Sequence, residues 1–204
     1  MSSLLLPDGS PGDSKRAWRE LGRRRRAGVG AQQNVVREAG WAQTGSRRIL
    51  SSGVSTVALY LSRPGEPGTG QLADALVRAG LRVLAPVLTD RAGRGLHDPA
   101  WGLYSPGQTR PGLWAIPEPI GQTLPAEGLG QADLVICSAL WADLEGHRVG
   151  TGGGWYDRAL VWRRSEVPVW AMVDDSEVVE RLPHDSWDIP VDAALTPTGL
   201  TALG

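Results

Sequence analysis

The run Arg148-Val149-Gly150-Thr151-Gly152-Gly153-Gly154-Trp155-Tyr156-Asp157-Arg158 sets four glycines in five positions directly against bulky and charged side chains. Glycine reaches positive φ without a steric penalty and lets backbone N–H groups close on an anion. A helix is expected from about 155 to 164, and its first N–H groups and dipole would add to that attraction. The chemistry indicated is a cradle for a nucleotide polyphosphate, although glycine-rich turns that hold no ligand share this composition. Two familiar cradles are excluded. GxxxxGK[ST] needs a lysine that is not here, and GxGxxG counted from Gly150 would put its third glycine at Trp155. Asp157 falls in the first helical turn, where a carboxylate is favourable for the dipole alone. Its functional reading is as a ligand holding Mg2+ against phosphates, since that ion usually takes one or two carboxylates with phosphate oxygens and water.

A second set of charges lies near the start. Residues 15–26 carry seven cations against one acid, and Lys15, Arg19, Arg23 and Arg26 share one stripe of a helix. Like charges at this spacing repel, so the stripe is either a solvated face or a seat for an anion. RNA is a third reading, but single-stranded RNA sites interleave aromatics with the cations, and only Trp18 does so here. Among 21 lysines and arginines the sole lysine is Lys15, which marks a position where a compact point charge is wanted in place of a guanidinium.

Those residues need a scaffold, and the chain is long enough for one good core. It has 204 residues, 41% of them hydrophobic, and a net charge of −1. Near-neutrality gives no general attraction to nucleic acid or to an anionic membrane. A single cysteine, Cys137, cannot form an internal disulfide and fits a reducing, cytoplasmic setting, where it reads as a strand residue in the core. The first residues lack a basic segment, so no signal peptide is expected, and no apolar run approaches the roughly 20 residues of a membrane span. His97, His147 and His184 are dispersed without zinc-ligand spacing.

Along the chain, residues 1–12 read as a disordered tail and 13–204 as a single α/β domain. Asp13 or Ser14 caps a helix to about 27, and a second helical stretch over 30–49 is expected to break near Gly40. Strands are expected at 55–62, 81–88, 133–140 and 167–173. Between the first two lies a helix capped by Thr69 and ended by Gly80. Short strands are expected at 101–104, 112–116 and 191–195, and a short helix at 176–181. Alternating strands and helices predict a three-layer sandwich, a mostly parallel open sheet with helices on both faces. Ligands in such sheets bind beyond the carboxyl ends of the strands, where the glycine loop falls.

The loop and its surroundings, D-L-E-G-H-R-V-G-T-G-G-G-W-Y-D-R over 143–158, resemble the signature of the 5-formyltetrahydrofolate cyclo-ligases, or methenyltetrahydrofolate synthetases. Four further segments agree in order and spacing: K-R-A-W-R (15–19), Y-L-S-R-P-G-E-P-G-T (60–69), W-A-I-P-E-P (114–119) and L-P-H-D-S-W-D-I-P-V-D-A-A-L-T-P (182–197). The resemblance implies a sheet of the NagB/RpiA/CoA-transferase kind and an ATP- and Mg2+-dependent cyclisation of 5-formyltetrahydrofolate to 5,10-methenyltetrahydrofolate. It implies that Lys15 and Arg19 hold ATP phosphates, and that Arg148, Val149, Gly150, Thr151, Gly152, Gly153, Gly154, Trp155 and Tyr156 form the cradle. Lys15, Arg148 and Tyr156 would be catalytic. Asp157 and Asp192 would bind Mg2+, and Glu66 and Trp114 would meet the folate. The implied partners are therefore a reduced folate and ATP, with no nucleic acid and no membrane, in a monomer or weak homodimer. A relative that binds nucleotide or folate without closing the ring is the alternative.

Overall fold

Apolar residues that alternate along a strand and face covered surfaces on both sides require two helical layers, and both are present. The computed structural model describes residues 14–204, so the expected tail and the Asp13 cap lie outside it. The helices are α1 (Lys15–Ala27), α2 (Ala31–Leu50), α3 (Gly70–Arg78) and α4 (Trp155–Leu160). The strands are β1 (Thr56–Leu59), β2 (Arg82–Thr89), β3 (Gly95–Leu103), β4 (Thr109–Pro111), β5 (Pro117–Pro119), β6 (Thr123–Leu124), β7 (Leu134–Ser138), β8 (Trp141–Asp143), β9 (Arg148–Val149), β10 (Val169–Met172), β11 (Val178–Val179), β12 (Ala193–Leu195) and β13 (Leu200–Ala202). Eight of them form one sheet in the order β13-β12-β10-β7-β1-β2-β3-β6. The central five are parallel, while β13, β3 and β6 join antiparallel at the edges.

Successive residues of the central strands go to opposite layers. Val57, Leu59, Val83, Leu134, Ile136 and Met172 pack under Trp41 and Ile49 of α2 and Leu72 and Leu76 of α3. Ala58, Leu84, Val135, Cys137 and Ala171 pack under Ala159 and Leu160 of α4 and under Leu129 of a 3-10 turn. Cys137 is fully buried, and burial pushes its thiol pKa up, which leaves it an inert core residue.

Several expectations shift against this frame. The second helix does not break at Gly40 but runs on to Leu50. The glycine is there for close approach, because a Cβ would stand 2.9 Å from the Cβ of Pro197. Thr69 precedes α3, but its hydroxyl accepts from the Ser62 N–H and makes no cap bond. The region expected to hold strands at 101–104 and 112–116 contains the longer β3 and the β4–β5 hairpin, with a 3-10 turn at Leu113–Ala115. The helix expected at 176–181 is a 3-10 turn at Asp175–Glu177 followed by β11.

α1 lies beside the β8–β9 hairpin, where Trp18 and Leu21 pack with Leu140, Trp141, Val149 and Leu182. Trp18 meets Trp141 edge to face at 5.1 Å and is buried, so it is a core residue and offers no ring to a nucleic acid base. At the far end of α1, Arg26 donates to both carboxylate oxygens of Glu177 at 2.7 Å and to the Ala139 carbonyl at 2.6 Å. Glu177 is almost wholly buried and also accepts from the Asp174 N–H. Removing one partner of such a pair leaves an uncompensated charge. Glu177→Ala is therefore expected to cost about 3–5 kcal/mol in urea unfolding, and Glu177→Gln, which keeps an acceptor, distinctly less.

Asp133, just before β7, ties two strands together. Its carboxylate accepts from the Ser55 N–H and hydroxyl, the Thr56 N–H and Arg164. These bonds, led by the Ser55 N–H, pull its pKa from 3.8 to about 2. A depressed pKa contributes stability that is complete above the unfolded value and is lost as pH falls through the folded one. Stability of the protein is expected to decline between about pH 4 and pH 2 in part through this group. Asp133→Asn should make that decline shallower in a pH series of urea midpoints.

Candidate functional site

Chain direction sets where a site forms. From β1 the chain moves outward to β2 and then returns to β7, from which it proceeds the other way to β10 and β12. The reversal leaves a crevice beyond the carboxyl ends of β1 and β7, the expected ligand position in a sheet of this kind. A cavity of about 540 Å³ opens there, with Tyr60 and Leu61 following β1 and Ser138 ending β7. That volume suits a small-molecule site.

Almost every residue singled out from sequence reaches this cavity. Lys15 and Arg19 enter from α1, Glu66 from the loop after β1, Trp114 from the 3-10 turn between β4 and β5, and Arg148 from β9. Gly150 to Asp157 forms the facing wall. Val149 does not line it; its side chain is buried with Trp18 and Leu21. Asp192 is not brought there either. It sits at the amino end of β12, where its carboxylate accepts from the Val169 N–H at 2.7 Å, so it lies at the opposite edge of the sheet from Asp157.

The glycine loop has a consistent polarity. Arg19 donates to the Gly150 carbonyl, Arg23 to that of Thr151 and Arg158 to that of Gly153. Among the described residues, no backbone carbonyl accepts from the N–H groups of Gly150 to Gly154. Carbonyls held by arginines and N–H groups left open are the polarity an anion needs. Gly152 and Gly154 have φ of 109° and 61°, which non-glycine residues rarely adopt. α4 spans six residues, so the open N–H groups and nearby cations, more than a helix dipole, give the loop its positive character.

The stripe of α1 is half-buried at Lys15, Arg19 and Arg26 and exposed at Arg23. Its four cations all engage the protein: Lys15 binds Asp185 at 2.7 Å and also Asp188, Arg19 and Arg23 bind the loop, and Arg26 binds Glu177. Burial works against the Lys15 ammonium, but the two carboxylates outweigh it and raise its pKa above the usual value. Arg148 is almost wholly buried; it donates to Asp157 at 2.6 Å and to the Ile189 carbonyl. Tyr156 packs against both cores with its hydroxyl 3.4 Å from the Ile136 carbonyl. A tyrosine is protonated at neutral pH and can donate, and burial pushes its pKa further up.

Sequence reasoning missed Tyr60, Arg63, Asp185, Trp187 and Asp188, all of which line the cavity. A lysine kept among arginines could have prompted a search for its carboxylates, and the segment 182–192 supplies them. His147 and His184, dispersed in sequence, stack at 3.6 Å, and His147 contacts the buried Asp143. They brace the segment that carries Asp185 against the β8–β9 hairpin. No group of three or more His, Cys, Asp or Glu able to hold a metal occurs among the described residues. Nor is any described helix long and apolar enough to cross a membrane.

A sequence model of the 5-formyltetrahydrofolate cyclo-ligase family matches residues 12–197. The chain belongs to this family. The 5-formyltetrahydrofolate cyclo-ligase of Mycolicibacterium smegmatis is 38% identical over 150 residues, 72% of this chain and 77% of that protein. The Escherichia coli cyclo-ligase is 35% identical over 145 residues, 70% of this chain and 78% of its own length. The fold agrees with the Aquifex aeolicus 5,10-methenyltetrahydrofolate synthetase at a TM-score of 0.74 and 26% identity, covering 93% of this chain and 92% of that one. It also agrees with the synthetase of Mycoplasma pneumoniae at a TM-score of 0.70, over 91% of this chain and 99% of that one, where 16% identity speaks for the fold alone. The residues matched by the family model, 12–197, include every segment that lines the crevice.

Proposed function

We propose that this cyclo-ligase family member closes 5-formyltetrahydrofolate to 5,10-methenyltetrahydrofolate at the expense of ATP, in the cavity beyond β1 and β7. The observation that carries the reading is the polarity of the glycine loop: its carbonyls are taken by three arginines while its N–H groups stay open beside Lys15 and Arg148. In the reaction the formyl oxygen on N5 attacks the γ-phosphorus and ADP departs. N10 then bonds to the formyl carbon and loses its proton, and the carbon–oxygen bond breaks with release of phosphate. Phosphorylation converts an amide oxygen, a poor leaving group, into a good one.

The protein's part is positioning and charge neutralisation. Lys15, Arg19 and Arg148 face the phosphates, with the N–H groups of Gly150 to Gly154 beneath them. Tyr156, a phenol at neutral pH, offers a hydrogen-bond donor from the cavity wall. Glu66 offers an acceptor to the N–H groups of a pterin, and Trp114 offers a face for an aromatic ring.

Carboxylates around the cavity suit Mg2+, which asks for one or two of them and completes its shell with phosphate oxygens and water. Asp157 and Asp188 would hold it, Asp188 taking the place expected of Asp192. When bound, the ion neutralises phosphate charge. Monomer or weak dimer, and a cytoplasmic setting, remain the expectation.

The test is absorbance. Purified protein mixed with 5-formyltetrahydrofolate, ATP and Mg2+ is expected to build up the methenyl chromophore, and none should form without ATP. ATP binding without any chromophore would favour the non-cyclising relative.

A further inference from the structure

Trp114 and Trp187 stand apart from the other tryptophans of the fold. Both line the cavity and each is 72% exposed, whereas Trp155, a third indole there, is half-buried edge to face against Trp101 and Tyr156. Trp162, 43% exposed, does not line the cavity, and Trp18, Trp41, Trp101, Trp141 and Trp170 are buried. A bare indole at the mouth of a cavity leaves a large apolar face in water, a cost that a stacked ligand would remove. The two rings come from different parts of the chain. Trp114 rides on the turn between β4 and β5, held at a φ of 55° that non-glycine residues rarely adopt. Trp187 belongs to the segment between β11 and β12, and the proposed chemistry has given it no task.

Trp187 is held on a tight turn. The Asp188 N–H donates to the Asp185 carbonyl at 3.0 Å, and the Asp185 N–H donates back to the Asp188 carboxylate at 2.8 Å. Lys15 binds both carboxylates, so the turn is anchored to the first residue of α1, beside the glycine loop. A ring presented from an anchored backbone has lost little freedom before its ligand arrives.

We infer that Trp187 stacks on the purine ring of the nucleotide. This rests on the reading that ATP phosphates occupy the glycine loop. Position sets the direction. The open N–H groups of the glycine loop, with Arg19 and Arg23 against its carbonyls, seat the phosphates. Lys15 links α1 beside that loop to the turn that carries Trp187, so the uncharged end of a nucleotide held there falls toward this indole. Trp114 and Glu66, which come from other loops, are then left to the folate. Two heteroaromatic substrates would each have one exposed indole.

The experiment compares ATP with inorganic tripolyphosphate, which carries the phosphates without a base, by calorimetric titration of the wild-type protein and of Trp187→Ala, Trp187→Phe and Trp114→Ala. Stacking on a base predicts that Trp187→Ala weakens ATP binding about 10- to 100-fold and leaves tripolyphosphate unchanged. Trp187→Phe should restore most of the loss, and Trp114→Ala should leave ATP binding intact. Equal weakening of both ligands in Trp187→Ala, or of neither, would overturn the assignment while leaving the phosphate site standing. Wild-type protein that binds neither ligand would bring down the phosphate site and this inference together.

Discussion

Lys15→Ala is expected to lower kcat/KM for ring closure by a factor of about 10² to 10³, the usual cost of losing a charge aimed at a developing anion. The ammonium bonds Asp185 and Asp188 and faces the open N–H groups of the glycine loop across the cavity. On the proposed reading, its removal deletes a counter-charge to the phosphates. It also strips two neighbouring carboxylates of their cation, so that they now repel the incoming nucleotide. Both effects act on the same substrate, which places this variant among those with the largest expected effect. Lys15→Arg should recover only part of the rate. A guanidinium spreads its charge over a planar fork and does not reproduce a single nitrogen shared by two carboxylates. Steady-state rates from the methenyl absorbance decide it; an alanine variant within threefold of wild type would remove Lys15 from the phosphate site.

The legibility of this lysine is instructive. Composition alone marked Lys15, because one lysine among so many arginines stands where a different cation would not serve. What composition could not show is its partners, since Asp185 and Asp188 are 170 and 173 residues away in sequence. The strands at β1, β2, β7 and β10 were readable because their runs of Val, Ile, Leu and Ala are covered on both faces. Gly40 misled for the converse reason. Its tolerance inside α2 comes from close packing against Pro197, a tertiary fact with no local trace. The β8–β9 hairpin and the edge strand β13 were missed because two- and three-residue strands have no period to detect.

At the site, the glycine loop was legible because the need for positive φ restricts residue choice. Asp192 shows the limit of motif reading. It stands four residues after Asp188 in one short segment, and only the fold separates them. Asp188 turns back to Lys15 at the carboxyl edge of the sheet, while Asp192 caps the amino end of β10 through the Val169 N–H. Residue type and spacing do not distinguish two aspartates that a strand end sends to opposite edges.

Arg148 and Asp157 carry the second large effect, and a paired substitution separates their two tasks. Arg148 is almost wholly buried and Asp157 about one-third exposed, at 2.6 Å. Arg148→Met leaves a half-buried carboxylate without its cation and the Ile189 carbonyl without its donor. It is expected to cost about 2–3 kcal/mol of stability, below the range for a fully buried pair because water reaches Asp157. Asp157→Asn alone should cost less, since the amide oxygen still accepts from Arg148. Adding Asp157→Asn to Arg148→Met removes the orphaned charge, so the double variant should regain part of the stability lost by Arg148→Met. Activity should not follow. If Arg148 faces the phosphates and Asp157 holds Mg2+, each single variant loses about 10²-fold in kcat/KM and the double variant stays inactive. Asp157→Asn should in addition shift the Mg2+ dependence of the rate to higher concentration, a change that loss of structure alone would not produce. Urea midpoints and Mg2+ titrations of the rate, measured on the same three proteins, give both answers. Recovery of activity along with stability in the double variant would mean that the pair only holds the loop to α4 and touches neither phosphate nor metal.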